Sequence, residues 1–132
     1  MTDLLQATQD AVFAAVNVAA VKALAPVYQN VPPNTQPPFI EIGAIDAEEI
    51  GAKGDGLERH TVEIEFQHRG PARRPLLAMM HAVREALTGV VLTAPGATLD
   101  QCHWLASATD REDDGVTYHG IHRFEMLVQQ DD

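Results

Sequence analysis

Asp113-Asp114-Gly115, set between Leu99–Ala108 and Val116–Gln129, decides how the last third of this chain folds. The flanking runs are rich in β-prone residues. A turn that ends in Asp-Gly needs a positive φ, which Gly supplies without steric cost. The two runs therefore read as an antiparallel hairpin. Its closing strand carries Thr117-Tyr118-His119-Gly120-Ile121-His122-Arg123-Phe124. Phe124, Met126 and Val128 share one face of it, and Arg123 and Glu125 share the other. Ile121 breaks that phase, which predicts a bulge or twist near Gly120.

Upstream of the hairpin, Val90–Ala97 reads as a connector. Before it, Leu76, Met80, Val83 and Leu87 recur at about one helical turn, with Gly89 placed to end the helix. Pro75 is acceptable in the first turn, where its missing N–H has no intrahelical partner. Arg59–His68 alternates Val62, Ile64 and Phe66 with Glu63, Glu65 and Gln67, the pattern of a sheet with one dry and one wet face. Phe39–Asp46 reads as another strand, with Ile40 and Ile42 on one side and Phe39, Glu41 and Gly43 on the other. Ala47–Leu57, between these two strands, is rich in Gly and charge and long for a hairpin connection. It reads as either a contact surface or tolerated slack. Its candidate contact residues are Glu48, Glu49, Ile50, Lys53 and Asp55.

Pro32-Pro33-Asn34-Thr35-Gln36-Pro37-Pro38 excludes regular structure, because its four prolines fix φ and remove donors. Such a segment reads as a stiff connector more readily than as a PxxP ligand. Val27–Val31 suggests a short edge strand, and Ala19–Leu24 a further helical turn ended by Pro26. Asp3 with Gln6 resembles a capping box; Leu5, Val12, Val16 and Ala19 then follow helical spacing, and Asp3–Asn17 is the expected helix. The expected fold class is α+β: a two-layer sandwich with a mostly antiparallel sheet of about four to five strands and two amphipathic helices on one face. The 132 residues read as a single domain, 1–132.

Composition narrows the function classes. The formal charge is −10, from nineteen acids against nine bases. Duplex DNA is itself densely anionic, and gripping it takes clustered Lys and Arg. Arg69, Arg73 and Arg74 are the one such cluster, and prolines flank or interrupt it, so specific nucleic-acid binding is not expected. Cys102 is the one cysteine, which rules out an intrachain disulfide and suits a reducing compartment. Met1-Thr2-Asp3 lacks the basic start of a signal peptide, and the longest apolar run, Ala11–Val16, is far short of the roughly 20 residues that span a bilayer. A soluble protein made in the cytoplasm, with no membrane partner, is expected.

Catalytic constellations are weak. His103, His119 and His122 invite a metal reading across the hairpin, but His119 and His122 project to opposite sides of a regular strand, and no CxxC, HExxH or HxH spacing is present. Glu48-Glu49 and Asp113-Asp114 fall in expected turns, where solvation offers no means of shifting a pKa. The Gly51–Gly56 run precedes a strand, not the helix a phosphate cradle requires. Ser107 is the one serine and nothing in the sequence marks it as activated; a Cys102–His103 pair would point to opposite faces. No enzyme activity, cofactor or metal is expected.

Taken together, the opening helix, Val27-Tyr28-Gln29-Asn30-Val31-Pro32 with Pro38-Phe39-Ile40-Glu41-Ile42-Gly43, the strand His60–His68, the helix Leu76–Leu87 and the ending Asp113–Phe124 resemble the tail-completion or tail-terminator family of siphophage-type particles, prophages and gene transfer agents. Pro71 and Pro75 at the entry to the second helix depart from that pattern. The resemblance implies a non-enzymatic structural protein, assembled in the host cytoplasm into a virion or phage-like tail. It implies a homo-oligomeric ring, typically of six subunits, at the head-proximal end of the tail tube. There it would end tube polymerisation and join the tail to the head connector. The implied partners are further copies of itself, the tail tube protein and the head connector protein, with DNA passing through without specific binding. Six copies would carry six times −10 in formal charge, so an anionic lumen would repel the DNA backbone and let it slide. The other readings are a head–tail connector or minor tail component of similar fold and, from a different class, a small α+β ligand-binding domain or enzyme.

Overall fold

The computed structural model describes residues 3–52 and 54–131. The chain begins with α1 (Leu4–Val16), where the Asp3 carboxylate accepts from the Gln6 N–H (3.1 Å). Only half of the expected capping box forms, because the Gln6 side chain donates forward to Asp10 (2.9 Å) and not back to the cap. Helical phase follows a stride of four: Leu4, Thr8, Val12 and Val16, with Ala7 and Ala11 beside them, are buried. Leu5, expected on that face, points outward and is 47% exposed. The adjacent leucines left the phase ambiguous, and packing resolved it.

The one-turn α2 (Ala19–Lys22) and the two-residue β1 (Val27–Tyr28) follow. The Pro-rich segment is then tied down locally, with Thr35 Oγ1 donating to the Pro32 carbonyl (2.6 Å) and Arg69 to Gln36 (2.9 Å). β2 (Phe39–Glu49) and β3 (Leu57–Arg69) form a hairpin whose ladder reaches Glu49↔Glu58. The long 47–57 loop expected from sequence is therefore shorter. Glu48 and Glu49 lie in the strand, and the described residues between the two strands are 50–52 and 54–56. Charged residues hid this end of the ladder because both of its faces are wet. The absence of alternation there said nothing about backbone pairing.

α3 (Arg74–Leu87) has Pro75 in its first turn and buries Leu76, Met79, Met80, Val83 and Leu87. Thr88 ends it, and Gly89 takes the left-handed conformation (φ 75°). The expected connector 90–97 contains a short strand, β4 (Leu92–Ala94). β5 (Ala97–Arg111) and β6 (Thr117–Gln130) complete the chain as the predicted hairpin, turning through Gly115 (φ 75°).

Among the described residues the sheet has six strands in the order β1-β2-β3-β6-β5-β4, and three helices accompany it. That corrects the expectation of four to five strands and two helices. The short turn and edge strand expected at Ala19–Leu24 and Val27–Val31 form as α2 and β1, and the element not expected is β4, whose three residues are too short for a periodicity to register. β1 runs parallel to β2 and the remaining pairs are antiparallel, so the sheet is mixed. One core forms where α1 and α3 cover the dry face around Ile40, Ile64, Phe66, Phe124 and Met126. No described helix is long and apolar enough to cross a membrane.

The bulge expected near Gly120 is not there. β6 pairs with β3 without a break from Leu57↔Gln129 to Arg69↔Thr117. Register shifts fall instead in β5, between Asp100 and His103 and between Trp104 and Ala106, and in β2 between Ile42 and Ile45. Gly120 serves packing. A Cβ placed on it would meet Met80 Sδ at 2.6 Å and Leu76 Cδ2 at 3.3 Å, so its bare backbone lets α3 sit against the sheet. Ile121 is out of phase because it belongs to the wet face, where it is half-buried opposite Ala108.

Candidate functional site

The sheet face away from the helices carries the strongest concentration of charge. Alternation along β2, β3 and β6 turns Glu41, Asp46, Glu48, Glu63, Glu65 and Glu125 to that side, together with the cations Arg59 and Arg123. Arg123 pairs with Glu63 (2.6 Å), and Arg59 with Glu48 (2.5 Å) and Glu125 (3.6 Å). Such exposed pairs each contribute about 0–1 kcal/mol. Glu41 stands directly opposite Glu65, a like-charge cross-strand pair that opposes folding. The Glu41 carboxylate turns to the Val31 N–H (2.9 Å) and Glu65 to His119 (3.4 Å). The face is therefore anionic beyond what its ion pairs neutralise.

The candidate contact residues divide. Glu48 and Glu49 are exposed at the end of β2, and Ile50 is half-buried, its N–H bonded to the Leu57 carbonyl (3.1 Å). Asp55 holds the turn by accepting from the Ala52 N–H (3.1 Å). Lys53 lies outside the described residues. An open groove of about 480 Å³ runs between this tip and the start of α1, with Asp3, Glu48, Glu49 and Glu58 on its walls. Among the described residues no group of His, Cys, Asp and Glu has the spacing to hold a metal ion.

The three histidines considered for a metal are split by the sheet. His103 and His119 lie on the wet face beside Glu125 and Glu65, whereas His122 is buried on the core face. What His122 does meet is Ser107. The Met80 carbonyl can only accept, so His122 Nε2–H donates to it (2.8 Å), and Nδ1 is left to accept from the Ser107 hydroxyl (2.7 Å). Ser107 Oγ in turn accepts from Trp104 Nε1–H (2.7 Å). Phe66 and Phe124 pack edge-on against the imidazole at 5.3 and 5.5 Å. Burial pushes the His122 pKa below the ordinary imidazole value, and the Arg84 charge adds to this, against the opposing Met80 hydrogen bond. Arg84 itself stacks on Trp104 at 3.8 Å.

No local motif marks a partner for Ser107. The signal was present, since counting back from the Asp-Gly turn in register sets Ser107 opposite His122. A serine donating to a neutral imidazole has the connectivity of a nucleophile and its base. The surroundings are different from those of a cleft: the adjoining hollow is about 100 Å³, lined by Ala106, Ser107, Ala108, Ile121 and Arg123. The network joins β5 and β6 to the backbone of α3, and so acts as a clamp between layers.

Asp114 corrects a second expectation. Although exposed, its carboxylate accepts from the Thr117 hydroxyl (2.5 Å) and from the Val116 and Thr117 N–H groups (2.9 and 2.8 Å). Those bonds, the Thr117 hydroxyl foremost, hold its pKa below the usual carboxylate value. Glu48 and Glu49, expected in a turn with this pair, are strand residues. Of the basic cluster, Arg69 bonds Gln36 and Thr117, and Arg73 lies over the Tyr118 ring at 5.5 Å.

The surface thus offers an anionic sheet face, partly open strand edges at both ends of the sheet and shallow open grooves. The chain belongs to the tail completion protein gp17 family, whose sequence profile matches residues 10–129. It is thereby a structural protein of phage-type tails. Among solved structures it is similar to a chain of the virion of a native gene transfer agent particle, with 22% identity and a TM-score of 0.84 over 97% of this chain and 98% of that one. It is also similar to the gp17 protein of bacteriophage SPP1, with 18% identity and a TM-score of 0.54 over 90% and 89% of the two chains. At these identities the likeness shows a shared fold. No curated protein matches the chain in sequence.

Proposed function

We propose that this chain is a tail terminator: a ring of identical subunits on the head-proximal end of the tail tube that ends tube growth and presents a surface to the head connector. Membership in the tail completion family carries this reading. The sheet supports it, because β2, β3 and β6 turn six acids to the wet face against two arginines. Turned toward a channel, that face would repel the DNA backbone and keep the passing genome from adhering. Six subunits are the expected number. The tip with Glu48, Glu49, Ile50, Lys53 and Asp55 is the proposed contact with a neighbouring tail component, on the tube or the connector side. This role requires no catalysis.

Electron microscopy of particles made with and without the chain tests the proposal. Without it, tails should be of irregular length and should fail to join heads. Tails of normal length that still join heads would refute the terminator role.

A further inference from the structure

The two ends of the sheet are unfinished. β1 covers β2 only at Ile40 and Glu41, so from Ile42 to Glu49 the outer side of β2 faces no described strand. At the other end β4 covers β5 only from Ala97 to Leu99. The Gly89 N–H takes the Cys102 carbonyl (2.9 Å), and from His103 to Arg111 the described strand partner of β5 is β6 alone. Such edges present rows of unpaired backbone donors and acceptors, which proteins ordinarily blunt with charge, proline or bulges. The β2 edge is blunted by Asp46, Glu48 and Glu49. On β5, past the register shift between Trp104 and Ala106, Ala106-Ser107-Ala108-Thr109 carries no charge and no proline, and its first three residues are exposed.

We propose that the free edge of β5 pairs antiparallel with the free edge of β2 in a second copy of this chain, so that the sheet continues from subunit to subunit. The inference rests on the ring reading above and names the contact that builds the ring. Strand direction favours it. β2 and β6 run one way and β3 and β5 the other, since each neighbouring pair among them is antiparallel. Copies related by rotation about an axis along the strands keep those directions, so β5 of one copy meets β2 of the next in the commoner, antiparallel sense. Charge favours it too. Residues 42–49 hold three acids and no base, while residues 103–111 balance Asp110 with Arg111. Pairing β2 with β2 would instead set acid against acid. Pairing β5 with β5 would stop at two copies and leave both β2 edges open. Head-to-tail pairing uses both edges and closes on itself.

Crosslinking in the full chain tests this, because the one natural thiol is out of reach: Cys102 is buried, and burial pushes its pKa up to about 11. Single cysteine variants at exposed β5 positions (Ala106→Cys, Ala108→Cys) are mixed pairwise with variants on β2 (Ala44→Cys, Asp46→Cys, Glu48→Cys) and treated with a short bis-maleimide. Native mass spectrometry follows the oligomer over a concentration series and in tails purified from producing cells. The expected result is a covalent dimer in β5–β2 mixtures and not in either variant alone. The double variant Leu105→Lys, Ala108→Lys should lose the multimer while keeping its circular dichroism spectrum. Multimers without any β5–β2 crosslink, or a crosslink formed by Ala108→Cys alone, would overturn the edge pairing and leave the ring standing. A chain that stays monomeric in solution and in tails would overturn both.

Discussion

Replacing His122 with leucine tests whether the Ser107–His122–Met80 network clamps the two layers together. Leucine keeps roughly the volume of the imidazole and removes both hydrogen bonds, one at 2.7 Å to Ser107 and one at 2.8 Å to the Met80 carbonyl. At about 0.5–1.5 kcal/mol each, the loss is about 1–3 kcal/mol. The added apolar area of leucine roughly offsets the lost edge-on contacts with Phe66 and Phe124. Urea unfolding followed by Trp104 fluorescence should therefore show a lower midpoint at pH 8 with an unchanged slope. The pH dependence is the sharper readout. Because the folded state holds the His122 pKa below its ordinary 6.5, the unfolded chain binds the proton first as pH falls. The neutral ring's stabilising contribution is thus complete above about pH 6.5 and is lost as pH falls toward the folded-state pKa. One proton contributes at most about 1.4 kcal/mol per pH unit. The difference between wild type and His122→Leu should therefore shrink between pH 6.5 and the onset of acid unfolding. A variant as stable as wild type at pH 8, or a difference that does not change with pH, would refute the clamp.

Gly120→Val should destabilise by about 1–3 kcal/mol, because its side chain must displace Met80 and Leu76. Met80→Ala in the same chain should recover part of that loss in a double-mutant cycle, and strict additivity would count against the close approach. Asp114→Ala should lower the thermal midpoint at pH 7 by releasing the turn. Since the Asp114 pKa is depressed in the folded state, its contribution is present above the ordinary 3.8 and is lost as pH falls below it, so the midpoints of variant and wild type should converge in acid.

Much of the fold is legible in the sequence. Leu76, Met80, Val83 and Leu87 gave α3, the alternation through Val62, Ile64 and Phe66 gave the centre of β3, and Asp113-Asp114-Gly115 gave the final hairpin. Each rests on a local rule, either a period or a turn that demands positive φ. The family resemblance was legible as well, through the order of these pieces along the chain. The candidate tip was only partly legible: Glu48 and Glu49 read as loop because exposure on both faces erases the alternation that marks a strand.

The remaining features depended on contacts between distant segments. Gly120 has a reason only when Met80 arrives from α3, forty residues earlier. Whether Leu4 or Leu5 turned inward was decided by the sheet beneath α1. The buried state of His122 depends on the Met80 carbonyl from α3 and on the Phe66 ring from β3, both distant in sequence. The sequence could write the periods and the turns because those depend on neighbours along the chain. The anionic wet face and the two open strand edges emerged only when six strands took their order in space, since a pattern of alternation says which side is wet but not which strand stands last.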